Sequence, residues 1–257
     1  MTSILIISFA VMIVWMSALW LYATKRGEAD IVDAGWAAGI GIIAALTAFL
    51  GTGDPIRRTI LALLVGLWSV RLTLYITQRA IAPGEDGRYA ALRASWGASA
   101  TAKFFLFFQM QGALVAILSL PFIAVAVNSR PFGSALDLLA ILLSLVSVVG
   151  ETTADRQLAR FRNNPNNRGL VCEYGLWRYS RHPNYFFEWF HWLAYIPLAY
   201  GSDLFIISPL SAIMMLFLIL KVTGIPPTEA RALESRGDAY RRYQQQVSAF
   251  VPWFRKM

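Results

Sequence analysis

From Ile4 to Tyr22 the chain runs without a charged side chain. A helix needs about 20 mostly apolar residues to cross the roughly 30 Å of a bilayer's hydrocarbon. In that medium the backbone must satisfy its own hydrogen bonds, which leaves a helix as the form such a run takes. The pattern returns along the chain. It predicts spans at 4–22, 32–50, 59–76, 104–127, 136–150 (continuing as a helix to 162), 183–200 and 204–223. The fold class expected is therefore all-α: a polytopic membrane protein of about seven transmembrane helices, built as a single domain over 1–257. The first run lacks a basic leader and a small-residue cleavage site, so it reads as a retained helix and not a signal peptide. Composition agrees. Charged residues make up 15%, against about 25% in soluble domains, and no stretch is long and polar enough to form a soluble domain.

The residues between the spans set the expected orientation. Lys and Arg favour the cytoplasmic side. With seven spans and the C-terminus in the cytoplasm, the outer side carries only Arg57, Arg58 and Arg130, while the basic residues of 25–26, 79–103, 156–181 and 221–256 all face inward. That gives N-out, C-in. The same sequence closes off several function classes. Cys172 is the sole cysteine, so neither an internal disulfide nor a cysteine metal cluster is possible within the chain. With only His182 and His191, no metal site is expected. The net charge of +8 accompanies no nucleic-acid motif and reads as topology, with an anionic cofactor as a second source.

Polar groups inside membrane runs are costly and mark function by default. Arg71, Tyr75 and Gln78 recur at i, i+4 and i+7 and form a stripe on the third span. Asp33 opens the second span with Trp36 one turn on, and Asp33 or Asp86 is the natural partner for Arg71. A purely structural ion pair is the competing reading. Glu151, Asp155 and Arg162 share a face below the fifth span. There Arg162 would meet a phosphate and the carboxylates sugar or amide groups, unless the face is simply solvated. The densest stretch is Arg178–Glu188, RYSRHPNYFFE. Pro183 suits the first helical position, with His182 at the N-cap. A helix start beside Arg178 and Arg181 is a ready anion site. Asn184, Glu188 and His191 share one face of the helix that follows. Snorkelling arginines at an interface would explain Arg178 and Arg181, but not Asn184 and Glu188. The segment 229–246 reads as an interfacial amphipathic helix with a basic face, which leaves Glu229 unexplained.

These pieces together resemble a known family. GLWRYSRHPNYFFE at 175–188 resembles the C-terminal signature of the steroid 5-alpha-reductase and sterol reductase superfamily. More closely, the chain resembles its bacterial 3-oxo-5-alpha-steroid 4-dehydrogenase-like branch, DUF1295. Asp33 with Trp36, LWSVRL at 67–72, DGRY at 86–89, Glu151 with Asp155, GIPPTE at 224–229, AYRRY at 239–243 and FVPW at 250–253 extend the likeness over most of the chain. The resemblance implies a seven-helix NADPH-dependent reductase of a bacterial inner membrane. Its dinucleotide would lie in a cytoplasm-facing part at about 145–257, and a lipid-soluble substrate would enter from the bilayer. Carried over, Asn184, Arg162 and Asp155 match positions that hold the dinucleotide, and Tyr179 and Glu188 fall at matching places in the same block; Glu151, Arg178, Arg181, His182, Tyr185, Glu229 and Tyr243 complete the expected cofactor set. Trp36, Tyr75, Asp86 and Arg88 are expected on the substrate side. The steroid enzymes polarise a carbonyl with a Glu on the second helix and a Tyr on the third. Here the second helix offers Asp33, and Leu72 stands where that tyrosine is expected. The catalytic expectation is thus an Asp33–Arg71 pair that orients the site, with Tyr89 as proton donor. Membrane methyltransferases that use S-adenosylmethionine share the RHPxY element and are the alternative. A small-molecule transporter is the third class.

Overall fold

The computed structural model describes residues 2–80 and 84–256, with side chains at 79 and 80 left aside. Among them the chain is helical, and its one β-type pairing is an isolated bridge between Ser180 and Ser248. It divides into two compact units, one of residues 1–133 with 198–211 and one of 134–197 with 212–257.

The first unit contains α1 (Thr2–Arg26), α2 (Ile31–Leu50), α3 (Pro55–Ala80), α4 (Gly87–Trp96), α5 (Ala100–Leu118) and α6 (Leu120–Ala126). α2 sits against α1, α3 and α5, and its small residues are what allow it. A Cβ on Gly39 would come within 3.1 Å of Met12 and 3.4 Å of Val115, and one on Gly41 within 2.4 Å of the Ser69 hydroxyl. Small residues bring helix backbones together where hydrophobic association is weak. The close approach is fixed by hydrogen bonds to backbone carbonyls. Trp15 Nε1 donates to Gly35 at 2.9 Å, and Ser69 Oγ donates to Ala37 at 2.7 Å.

The second unit contains α7 (Ala135–Asn163), α8 (Pro183–Leu193), α10 (Leu210–Phe217) beyond Ser211, α11 (Ile225–Arg236) and α12 (Asp238–Gln246). α9 (Tyr195–Leu198) closes the first of this unit's two stretches of chain, at Pro197. α7 opens on a capping box, Ser134 with Asp137. Its buried stripe, Ala140, Ser144, Ser147, Glu151 and Ala154, is small or polar. α8 lies against it so closely that a Cβ on Gly150 would meet the Phe187 ring at 2.4 Å. Ser147 Oγ donates to the Phe187 carbonyl at 2.6 Å. α10 ends in a π-turn at Leu218–Val222, and Gly237 turns the chain between α11 and α12 at φ +50°.

Three expectations change here. Six helical runs among the described residues, rather than seven, are long and apolar enough to cross a membrane: Thr2–Arg26, Ile31–Leu50, Pro55–Gln78, Gly87–Ala126, Ala135–Asn163 and Phe205–Arg236. The expected span at 183–200 falls short. α8 has 11 residues, roughly 16 Å at 1.5 Å per residue, and its regular bonding lapses at Ala194, whose backbone stays helical at φ −61° and ψ −27°, before α9 resumes at Tyr195. Pro197 lacks the N–H that would bond back to Leu193 and prolong the helix. The expected polar loop at 79–103 is mostly helix. α3 runs on through Ala80, and α4 begins where the Asp86 side chain accepts from the Arg88 N–H at 2.9 Å. Residues 81–83 of that loop lie outside the described residues. The 229–246 segment is two helices, and the apolar face of α12 turns inward. Tyr240, Tyr243 and Val247 pack with Ala232, Val171 and Leu233.

Candidate functional site

Two polar clusters gather most of the chemistry-bearing residues, one in each unit. In the first unit Asp33 lies in the opening turn of α2, where the helix dipole favours a carboxylate. One of its oxygens accepts from the Tyr89 hydroxyl at 2.6 Å. The other accepts from Arg88 Nη2 at 2.7 Å. Arg88 also reaches Asp86 at 3.0 Å through Nε, and its guanidinium lies 5.2 Å from the Tyr89 ring centroid. Tyr89 is buried, with its ring edge-on to Phe107, while Arg88 stays exposed. The observed partners of Asp33 are therefore Arg88 and Tyr89, where Arg71 was expected. Capping by Asp86 aims the first turn of α4, and with it both side chains, at the start of α2. A second bridge holds the same approach. Glu85 accepts from the Ala29 N–H at 2.7 Å and from Arg93 at 2.7 and 3.0 Å. Trp36 packs edge-on against the buried Trp68, with centroids 6.3 Å apart. Arg71 and Tyr75 are half-buried on α3.

The second cluster is organised by Glu229, in the first turns of α11. Its Oε1 accepts from Arg181 Nε at 2.6 Å and from the Tyr240 hydroxyl at 3.3 Å, and lies 3.2 Å from His182 Nε2. Its Oε2 accepts from the Gln244 amide at 2.7 Å. Arg181 spends its Nη1 on the carbonyls of Gln244 and Val247, at 2.9 and 2.6 Å. The Tyr243 hydroxyl donates to the Trp177 and Ser180 carbonyls at 2.5 and 3.3 Å. His182 is the N-cap of α8 and Pro183 its first residue, as the sequence predicts. The imidazole stacks on Tyr185 at 5.4 Å, and the Tyr185 hydroxyl is 3.2 Å from Thr228 Oγ1. Burial pulls the His182 pKa below the ordinary imidazole value, against the opposing hydrogen bond to Glu229. Burial raises the Tyr240 and Tyr243 phenols, so both are neutral donors at physiological pH.

Arg181 was expected to meet an anion. In the structure its Nε meets Glu229 and its Nη1 meets two carbonyls. Arg162 and Arg178 are exposed, and Asn184 and Tyr185 lie in the first turn of α8. Asn184 and Glu188 are half-buried on α8, Glu151 and Asp155 are buried on α7, and Tyr179 is exposed. Gln244, Tyr240 and Ser180 escaped the sequence reading of the site. Tyr240, Tyr243 and Gln244 recur at i, i+3 and i+4 on one face of α12, and that spacing was the available signal.

No curated protein matches the chain. Residues 19–247 match the model of a family described as a protein of unknown function, DUF1295. Matched over most of its length, the chain belongs to this steroid 5-alpha-reductase-like family.

Proposed function

We propose that the protein is an NADPH-dependent reductase of the bacterial inner membrane. It would reduce the double bond of a lipid-soluble, carbonyl-conjugated substrate, such as a 3-oxo-Δ4-steroid or a related isoprenoid. The observation that carries the reading is the Asp33–Tyr89 pair. The resemblance calls for a carboxylate on the second helix beside a tyrosine, and Leu72 denies that tyrosine its expected place. Tyr89 brings a hydroxyl to the carboxylate from α4, at 2.6 Å.

The dinucleotide, when bound, supplies the hydride. The chain has to supply position and charge. Addition of hydride to one carbon of a conjugated double bond builds negative charge on the carbonyl oxygen, and a donor already in place lowers that cost. Tyr89 is that donor in this reading: its one hydroxyl proton, directed at Asp33 in this structure, turns to the carbonyl oxygen when the substrate binds and is then given up to the neighbouring carbon. Asp33 positions the phenol, and Arg88 stays on its other oxygen when the phenol turns away. On the cofactor side, Arg162, Arg178 and the α8 N-terminus suit the phosphates, and Asn184, Glu188 and Asp155 suit the amide and sugar groups. The basic connectors would face the cytoplasm in an N-out, C-in arrangement.

Thermal unfolding of the purified protein in detergent, with NADPH, NADH or S-adenosylmethionine, tests the reading. A ligand that binds only the folded state raises the transition in proportion to the logarithm of its concentration. NADPH is expected to do so. A shift with S-adenosylmethionine alone would replace the reductase with a methyltransferase.

A further inference from the structure

Beyond α12 the chain is extended, and its backbone is fastened at close intervals. Arg181 N donates to the Ser248 carbonyl at 2.8 Å, and Ser180 Oγ donates to Phe250 at 2.7 Å. Trp253 N donates to the Tyr179 carbonyl at 2.8 Å, and Lys256 N donates to Gln246 at 2.9 Å. The side chains on this fastened segment nevertheless face outward. Val251 is 51% exposed, Trp253 68% and Phe254 77%. Phe254 meets the exposed Tyr179 ring edge-on, with centroids 6.4 Å apart.

The surface leading to the segment is of another kind. Ile213, Phe217 and Val222 are exposed and apolar, as befits a helix in lipid. From Thr223 to Phe250 no described residue exposes a large hydrophobic side chain, and Arg231, Glu234, Asp238, Arg241, Arg242 and Gln245 face out instead. Trp253 and Phe254 thus reappear at the far edge of a polar surface, held there by backbone bonds. An exposed apolar patch rimmed by polar groups marks a contact with something. Arg178, next to Tyr179, and Lys256, two residues past Phe254, are exposed beside it. Arg255 is held by Glu173 at 2.7 Å. Aromatic rings with Arg and Lys at their edge are the composition of the membrane–water interface, and basic side chains there favour anionic lipid.

We propose that residues 251–256 form a fixed foot on the bilayer, with Trp253 and Phe254 seated among the headgroups and Lys256 on anionic phospholipid. The foot fastens the Tyr179–His182 stretch to the membrane surface, since the same backbone bonds join the two. It stands independently of the reductase reading, because its test needs no turnover.

The test places a nitroxide at Trp253→Cys, at Phe254→Cys and, as a water-facing control, at Gln245→Cys, each in a Cys172→Ala background. The full chain is reconstituted in vesicles of phosphatidylcholine, alone or mixed with phosphatidylglycerol. Collision rates with oxygen and with a water-soluble nickel complex are then read by electron paramagnetic resonance. The oxygen-to-nickel ratio is expected to be several-fold higher at 253 and 254 than at 245, and higher again with phosphatidylglycerol. Ratios at 253 and 254 equal to that at 245 overturn the proposal. Protection lost on diluting the protein in lipid assigns the patch to a second copy of the chain and overturns it too. Equal ratios in the two lipids overturn the anionic-headgroup assignment.

Discussion

The Asp33 cluster and the Glu229 cluster use the same chemistry, a carboxylate held by arginine and tyrosine, in opposite surroundings. The Asp33 and Arg88 side chains are 29% and 42% exposed. Those of Glu229 and Arg181 are 14% and 11% exposed, and His182 beside them is at 3%. An exposed pair contributes about 0–1 kcal/mol, so Arg88 can trade its partner for a ligand at little cost. A buried pair is different. Removing one member strands the other in low dielectric, at about 3–5 kcal/mol. Glu229 is met by groups from two segments, Arg181 with His182 and Tyr240 with Gln244, and Arg181 uses its Nε and Nη1 within the fold. One cluster is therefore suited to exchange contacts with a substrate, and the other to hold the start of α8 and the chain beyond α12 in register.

The largest expected effect tests that contrast. Glu229→Ala should lower stability by about 3–5 kcal/mol, seen as an earlier thermal transition in detergent. A variant as stable as the parent would erase the distinction between the clusters.

Tyr89→Phe sharpens the other side. It removes a single hydrogen bond, worth about 1 kcal/mol of stability, and under the proposed chemistry it should cut single-turnover reduction by about 10²-fold or more. NADPH affinity should be nearly unchanged. Full activity would leave Tyr89 as a structural partner of Asp33.

The smallest effect is a pH dependence from His182. Its folded pKa lies below the unfolded value of about 6.5, chiefly through burial. As pH falls through 6.5 the unfolded chain takes up a proton that the folded chain refuses, so stability drops until pH passes the folded value. The thermal transition should fall between pH 7.5 and 5.5, and His182→Gln should flatten that part of the curve. An unaltered slope would assign the dependence to another group.

Much of the fold was legible because hydropathy is a sum over contiguous residues. The spans at 4–22, 32–50 and 59–76 each lie within a single observed helix, and the predicted continuation of the fifth to Arg162 stands as α7. His182 and Pro183 were legible as a helix start because capping is decided by neighbours in the chain. The 183–200 run is interrupted at Ala194 between α8 and α9, because hydropathy does not count the N–H that Pro197 fails to give Leu193.

What the sequence determined by itself was therefore local: an all-helical membrane chain, where most of its helices begin, and which polar residues sit at apolar boundaries. Partner choice belonged to the tertiary structure. Asp33 meets Arg88 and Tyr89, 55 and 56 positions away, and Arg181 joins Glu229, 48 positions away. A pair depends on nitrogen and oxygen arriving within about 3 Å, which no spacing along the chain records. The tail carries the same lesson. Periodicity reveals that α12 has an apolar face. Only the packed structure turns Tyr240 and Tyr243 inward and leaves Trp253 and Phe254 outside, because an apolar face is equally well covered by protein or by lipid.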